Sequence, residues 1–122
     1  MPKYSETSQA RLMTCHPDLR KIFNEVIKVM DVTILEGHRN QSKQKEVFDA
    51  GKSKAEWPYS KHNKLPSLAV DVAPYPIDWN DRERFFRLAG VVQGIASQME
   101  IDVTWGGDWS FFDGPHFELK GV

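Results

Sequence analysis

Two histidines and one aspartate stand where ordinary packing does not account for them. His62 lies in a long polar loop just ahead of an apolar segment. His116 opens a short segment within Asp113-Gly-Pro-His116-Phe-Glu118, and Asp71 interrupts the run Leu68-Ala-Val-Asp71-Val-Ala73. On a strand, alternate side chains share a face, so Val70 and Val72 point one way and Asp71 the other, with Ala69 and Ala73. A carboxylate in that setting needs a partner, because burying an isolated charge costs several kcal/mol. The same alternation puts His116 and Glu118 on one face of the last segment and Phe117 and Leu119 in the core. If the strands carrying Asp71 and His116 are neighbours, and the loop delivers His62 to them, three ligands converge. A His, Asp, His set suits Zn²⁺ and leaves a fourth position for water, the arrangement of a catalytic site and not of a closed structural one. Bound water is then available as hydroxide near neutral pH.

Hydrolysis at such a site also needs a base that does not bind the metal. Asp113 precedes His116 by three positions across a Gly-Pro turn, which would set its carboxylate beside the metal-bound water. Arg39, just past Gly37, is a permanent cation able to stabilise an oxyanion. Taken singly, each residue has a plainer reading. His62 could be a solvated loop histidine, Asp71 a partner of Arg39, His116 the cap of a strand, and Asp113 the first residue of a turn. No HExxH helix is present to make the metal reading specific. Cys15-His16 suggests a thiol nucleophile only weakly, since adjacent residues seldom align for proton transfer. His38, next to Arg39, should point to the opposite face and not ligate. Trp57, Trp105 and Trp109 would serve equally as walls of a substrate groove or as packing.

The elements that must position these groups are legible in outline. Ser8 to Thr14 forms a short helical turn, and His16-Pro17-Asp18 opens a longer helix. Leu19, Ile22, Phe23, Val26, Ile27 and Met30 recur at three and four spacing, the mark of an amphipathic helix. Asp31 to Glu36 is β-branched and alternating, a strand that ends at Gly37. Gln41 to Ala50 is a surface helix with Val47 and Phe48 on one side, stopped by Gly51. Lys52 to Pro66 is an extended loop, and loops that long in a small domain are usually functional. Leu68 to Ala73 is a strand closed by Pro74 and Pro76. A helix capped by Asn80 or Asp81 runs to Met99, with Phe85, Phe86, Leu88, Ala89, Val92, Ile95 and Ala96 as its buried side. Ile101 to Trp105 and Pro115 to Leu119 are strands around a Gly106 to Gly114 loop. The mixed order predicts an α+β domain, helices packed on a small antiparallel sheet.

Three separated blocks carry a family resemblance. Ser60-Lys-His62-Asn-Lys-Leu-Pro-Ser-Leu-Ala-Val-Asp71, Trp105-Gly-Gly-Asp-Trp109 and Asp113-Gly-Pro-His116-Phe-Glu118 occur in that order. Together they resemble the zinc D-alanyl-D-alanine carboxypeptidase and dipeptidase family, most of all its branch of phage L-alanyl-D-glutamate endolysins. Arg39 with Gln44, Gly51 and Ser53 matches an earlier motif of that family, so the resemblance spans nearly the whole chain. It implies the fold shared with the Hedgehog signalling domain and the DD-peptidases. It further implies His62, Asp71 and His116 as zinc ligands, Asp113 as base, Arg39 as an aid to the transition state and Ser60 as a substrate contact. The chain departs from the common pattern in a longer spacing, nine positions from His62 to Asp71, without the usual intervening glycine.

Bulk properties agree with one enzyme-sized domain over residues 1–122. Sixteen Lys and Arg against 17 Asp and Glu, a net charge of -1, supply no field to attract nucleic acid or an anionic membrane. One cysteine excludes an internal disulfide. The first ten residues lack the apolar run of a signal peptide, and no segment approaches the roughly 20 apolar residues of a membrane span. The expectation is therefore a monomeric zinc endolysin made in the host cytoplasm. It would reach the periplasm through a separate holin-like pore and cut the L-alanyl-D-glutamate bond of the peptidoglycan stem peptide. Two rivals remain, a D-alanyl-D-alanine carboxypeptidase and a non-catalytic zinc and peptidoglycan-binding module of the same fold.

Overall fold

A computed structural model describes residues 2–122. Helices α1 (Glu6–Met13) and α2 (Pro17–Val29) lead into strand β1 (Val32–Glu36) and helix α3 (Gln41–Asp49). A 3₁₀ turn at Lys61–Asn63 precedes β2 (Ala69–Pro74), and α4 (Arg82–Gln98) comes next. The chain ends with β3 (Val103–Trp105), a 3₁₀ turn at Gly106–Asp108 and β4 (His116–Leu119). The four strands pair antiparallel in the order β1-β2-β4-β3. This is the expected α+β arrangement, and it places β2 and β4 side by side at the centre.

Helices α2 and α4 cover one face of the sheet. Leu19, Ile22, Phe23 and Val26 of α2 and Leu88, Val92 and Ala96 of α4 are buried against Ile34, Val70, Val72, Phe117 and Leu119. Phe23 meets Phe117 edge to face at 5.8 Å between ring centroids, an arrangement that aromatic quadrupoles favour. Every apolar strand residue in this set is on the core side of the alternation, so Asp71, His116 and Glu118 are left on the opposite face. Phe86, expected on the buried side of α4, is 54% exposed. It lies at the flank of the helix, against the rings of Trp105 and Phe112.

The helix at the start is a full element instead of a turn. Ser5 caps it by accepting the Ser8 N–H, and the helix then covers the open edge of β1. Ser8 Oγ accepts the Ile34 N–H at 3.1 Å, and Arg11 Nη1 donates to the Ile34 carbonyl at 3.1 Å. Those two groups would otherwise offer the edge to another strand. Gly37 closes this corner, since a Cβ there would lie 2.4 Å from the Arg11 carbonyl oxygen.

A bulge near the end of β1 changes the face that Glu36 presents. Ile34 pairs with Val72, but Glu36, two residues on, pairs with Asp71, one residue back. In regular pairing Leu35 would oppose Asp71 and Glu36 would face the core like Val32 and Ile34. The extra residue turns Glu36 to the Asp71 side, a re-aiming typical of bulges beside functional sites. No helix of the described residues is long and apolar enough to cross a membrane.

Candidate metal centre and active-site cleft

His62 is held by a short capped turn. Ser60 Oγ accepts the His62 N–H at 3.2 Å, while Asn63 Oδ1 accepts the Ser60 N–H at 3.1 Å, a reciprocal capping box. The imidazole is 2% exposed. Its Nδ1 lies 2.8 Å from the Gly37 carbonyl oxygen, which can only accept, so Nδ1 donates there and Nε2 is the ring atom turned to Asp71. That Nε2 is 3.3 Å from Asp71 Oδ1.

His116 comes to the same oxygen from the neighbouring strand. Asp71 and His116 are direct partners in the β2–β4 register, and Nδ1 of His116 is 3.1 Å from Asp71 Oδ1. Its Nε2 is 2.8 Å from Glu118 Oε1, and Glu118 in turn pairs with Lys61 at 3.3 Å. One ligand atom from each of His62, Asp71 and His116 lies within 4.8 Å of the other two. Two imidazole nitrogens and a carboxylate oxygen converging in this way are a donor set for a metal ion. Each ring is fixed through its other nitrogen by a carbonyl or a carboxylate, as metal-binding histidines normally are.

The protonation states are set by the same contacts. Burial opposes ionisation of Asp71, but the two imidazoles outweigh it and hold the carboxyl well below the usual range. Burial also opposes a charge on His116, yet hydrogen bonds to Asp71 and Glu118 prevail and push its pKa up to about 9. A metal ion binding His116 would compete with its proton.

Arg39 and Gln44 form the shell beneath this cluster. Nε of Arg39 donates to Glu36, the residue turned inward by the bulge, and Nη2 is 3.7 Å from Asp71 Oδ2. Asp113 lines the same cleft without belonging to the converging ligand set. Its carboxyl is raised above the ordinary range, first by burial and then by the Asp71 charge. A tight turn fixes it: the Asp113 N–H donates to the Gly106 carbonyl at 3.0 Å, and the His116 N–H donates to the Asp113 carbonyl at 3.2 Å. A Cβ on Gly106 would lie 2.5 Å from the Asp113 carbonyl oxygen, so this position admits glycine alone without movement.

Comparison with known proteins decides the family. Residues 1–120 match the family described as phage L-alanyl-D-glutamate peptidase. This chain belongs to that family. It is 29% identical, over 97% of its own length and 89% of the relative's, to the L-alanyl-D-glutamate peptidase of Escherichia phage T5. Among solved structures it resembles the Serratia marcescens L-Ala D-Glu endopeptidase ChiX, with a TM-score of 0.82 and 31% identity. That match covers 96% of this chain and 90% of the other. As a member of the family the chain is a peptidase that acts on peptidoglycan, and the resemblance read from its three motif blocks is correct.

One cleft gathers most of the residues singled out from the sequence. His62, Asp71, His116, Asp113, Arg39, Ser60 and Trp109 all border one cavity. The Trp109 ring lies 5.1 Å from that of His116. Trp105 is elsewhere: it is 5% exposed in the core, with Nε1 donating to the Gly114 carbonyl at 2.7 Å. Strand alternation explains the difference, because Trp105 pairs with the core-facing Phe117. Cys15 is buried away from the cleft and His16 caps α2 through Nδ1, so the two form no nucleophile and base pair. His38 lies outside the ligand cluster, as expected.

Several contributors carry no signal in local pattern. Gln44 sits in a polar helix, where periodicity marks no buried face, yet it is 0% exposed. Its only sequence-level hint is its place beside Arg39 in the family motif. Phe111, Lys52 and Lys54 line the cleft from two irregular loops that have no period to read.

Proposed function

We propose that this peptidase hydrolyses the bond between L-alanine and D-glutamate in the peptidoglycan stem peptide, using a zinc ion held by His62, Asp71 and His116. The observation that carries the reading is the meeting of His62 Nε2 and His116 Nδ1 at one oxygen of Asp71, 3.3 and 3.1 Å away, in a chain of this family. Nitrogen and carboxylate donors in threes suit zinc with an open position. A zinc ion bound there supplies a Lewis acid and an acidified water.

The remaining roles fall to the protein. Asp113 takes the proton of the attacking water and returns it to the leaving amine. Its raised pKa suits that work, because a base is most effective when its pKa approaches the operating pH. Arg39, anchored on Glu36 and Gln44, keeps a fixed positive charge beside the site and stabilises negative charge on the substrate carbonyl oxygen. Glu118 holds the His116 ring in its ligating orientation. Ser60 and Trp109 contact the peptide at the edge of the cleft. The protein works as a monomer and reaches the wall in the periplasm through a separate holin-like pore after synthesis in the host cytoplasm.

Purified sacculi provide the test. Digestion should create new N-terminal D-glutamate, detected by muropeptide mass spectrometry, and a chelator should abolish it until Zn²⁺ is restored. Release of free D-alanine without new glutamate ends would replace this reading with a carboxypeptidase. Persistent cleavage in the chelated sample would remove the metal.

A further inference from the structure

Cutting next to D-glutamate places a negative charge beside the reacting bond. Glutamate carries two carboxyl groups, and whichever continues the peptide, the other remains free close to the scissile nitrogen. The floor of the cleft repels it, since Asp71, Asp113 and Glu118 all line that surface. Arg39 is already matched by Glu36 and Asp71, and Lys61 by Glu118. The cations left over are Lys52 and Lys54, which line the same cleft as Trp109 and Phe111, and among the described residues neither makes an ion pair.

Lys54 has the more defined position of the two. Its ammonium stands over the ring of Phe111, 5.2 Å from the centroid, and both residues line the cleft. Its backbone is bracketed as well. Gln44 Nε2 donates to Ser53 Oγ at 2.9 Å and to the Ala55 carbonyl at 2.6 Å, one residue on either side of Lys54. The same Gln44 accepts from Arg39 and from Asn63, the neighbour of His62. A single buried amide therefore ties the Lys54 loop to the catalytic cluster, and a cation held this way is preorganised for its ligand.

We infer that Lys54 binds the free carboxylate of the substrate's glutamate residue and so selects an acidic residue on the leaving side of the bond. This rests on the L-alanyl-D-glutamate reading of the cleft. The aromatic face of Phe111 holds the ammonium in place, and the carboxylate approaches from the open side. Repulsion by the acidic residues of the cleft and attraction by Lys54 together orient the peptide so that the amine leaves toward Lys54.

The test uses the full-length, zinc-loaded enzyme and two synthetic stem peptides that differ only in the free glutamate carboxyl, ionised in one and amidated in the other. Wild type should prefer the ionised peptide by about tenfold or more in kcat/KM, the scale of one charge-assisted hydrogen bond. Lys54→Met should lose the preference, mainly through KM, and Lys54→Arg should keep part of it. Titration calorimetry with the released D-glutamyl peptide should show the same loss of affinity without any turnover. Lys54 is exposed, so circular dichroism should find the variants folded. A Lys54→Met enzyme that still discriminates as wild type does, or one that slows on both peptides equally, would overturn the assignment. Failure of wild type to cut either peptide, with activity on sacculi retained, would instead sink the choice of bond.

Discussion

The side-chain oxygen of Gln44 accepts Nη1 of Arg39 at 3.0 Å in a position with no solvent exposure. That oxygen also takes Asn63 Nδ2 at 3.0 Å, and the amide nitrogen donates to Ser53 and Ala55, so all four hydrogen-bonding valences are filled. The pattern fixes the orientation of the amide, because the flipped form would set donors against donors. It also makes one uncharged side chain the junction between the arginine, the turn that seats His62 and the loop that carries Lys54.

Gln44→Ala should strip partners from buried groups on Arg39 and Asn63. The expected cost is about 1–3 kcal/mol in stability, read from urea denaturation. Activity should fall further than stability explains, with bound zinc retained, because Arg39 and the Lys54 loop lose their common anchor. Gln44→Glu keeps the acceptor and loses the donor, and should lie between the two. Wild-type kinetics in Gln44→Ala would show that the anchor is dispensable.

Metal binding should report directly on the ligand triad. Zn²⁺ at about a hundredfold excess over its dissociation constant should stabilise wild type by about 2.7 kcal/mol, seen as a rise in Tm. Asp71→Ala and His116→Ala should show no such rise and hold no metal by elemental analysis. An Asp71→Ala protein that still binds zinc stoichiometrically would refute the site.

Asp113→Asn keeps the shape of the turn and removes the base. We expect kcat to drop by about 10²–10⁴ while zinc content and KM stay near wild type. Loss of zinc along with activity would make Asp113 a ligand and leave the reaction without its proposed base.

Cys15 gives a pH test remote from the cleft. Burial pushes its thiol up to about 12 from an ordinary value of 9.0. The folded state therefore keeps a proton that the unfolded chain gives up, and the resulting stability is complete below pH 9 and is lost as pH rises toward 12. Above pH 9 the stability of wild type should fall more steeply than that of Cys15→Ala, although Cys15→Ala is less stable at neutral pH. Iodoacetamide at pH 8 should label the thiol only after denaturation. Rapid labelling of the native protein would mean that the α1–α2 corner is not packed as described.

What the sequence determined by itself was mostly local in its physics. The three and four spacing from Leu19 to Val26 is enough to form α2 and choose its buried face, because helix geometry alone maps those residues to one side. Alternation is likewise enough to part Asp71 from Val70 and Val72, and His116 from Phe117. With the motif blocks around them, those parities made the convergence of His62, Asp71 and His116, and the family, readable from the chain alone. Tertiary structure decided which strands are neighbours, and so whether two parities meet. The order β1-β2-β4-β3 sets Asp71 opposite His116, and the bulge before Glu36 turns that residue to Arg39 against its own alternation. It also sent Trp105 inward, buried Gln44 on a helix without an apolar stripe, and placed Lys54 over Phe111. None of these has a period along the chain, since each depends on contacts between segments whose distance is fixed only when the core closes.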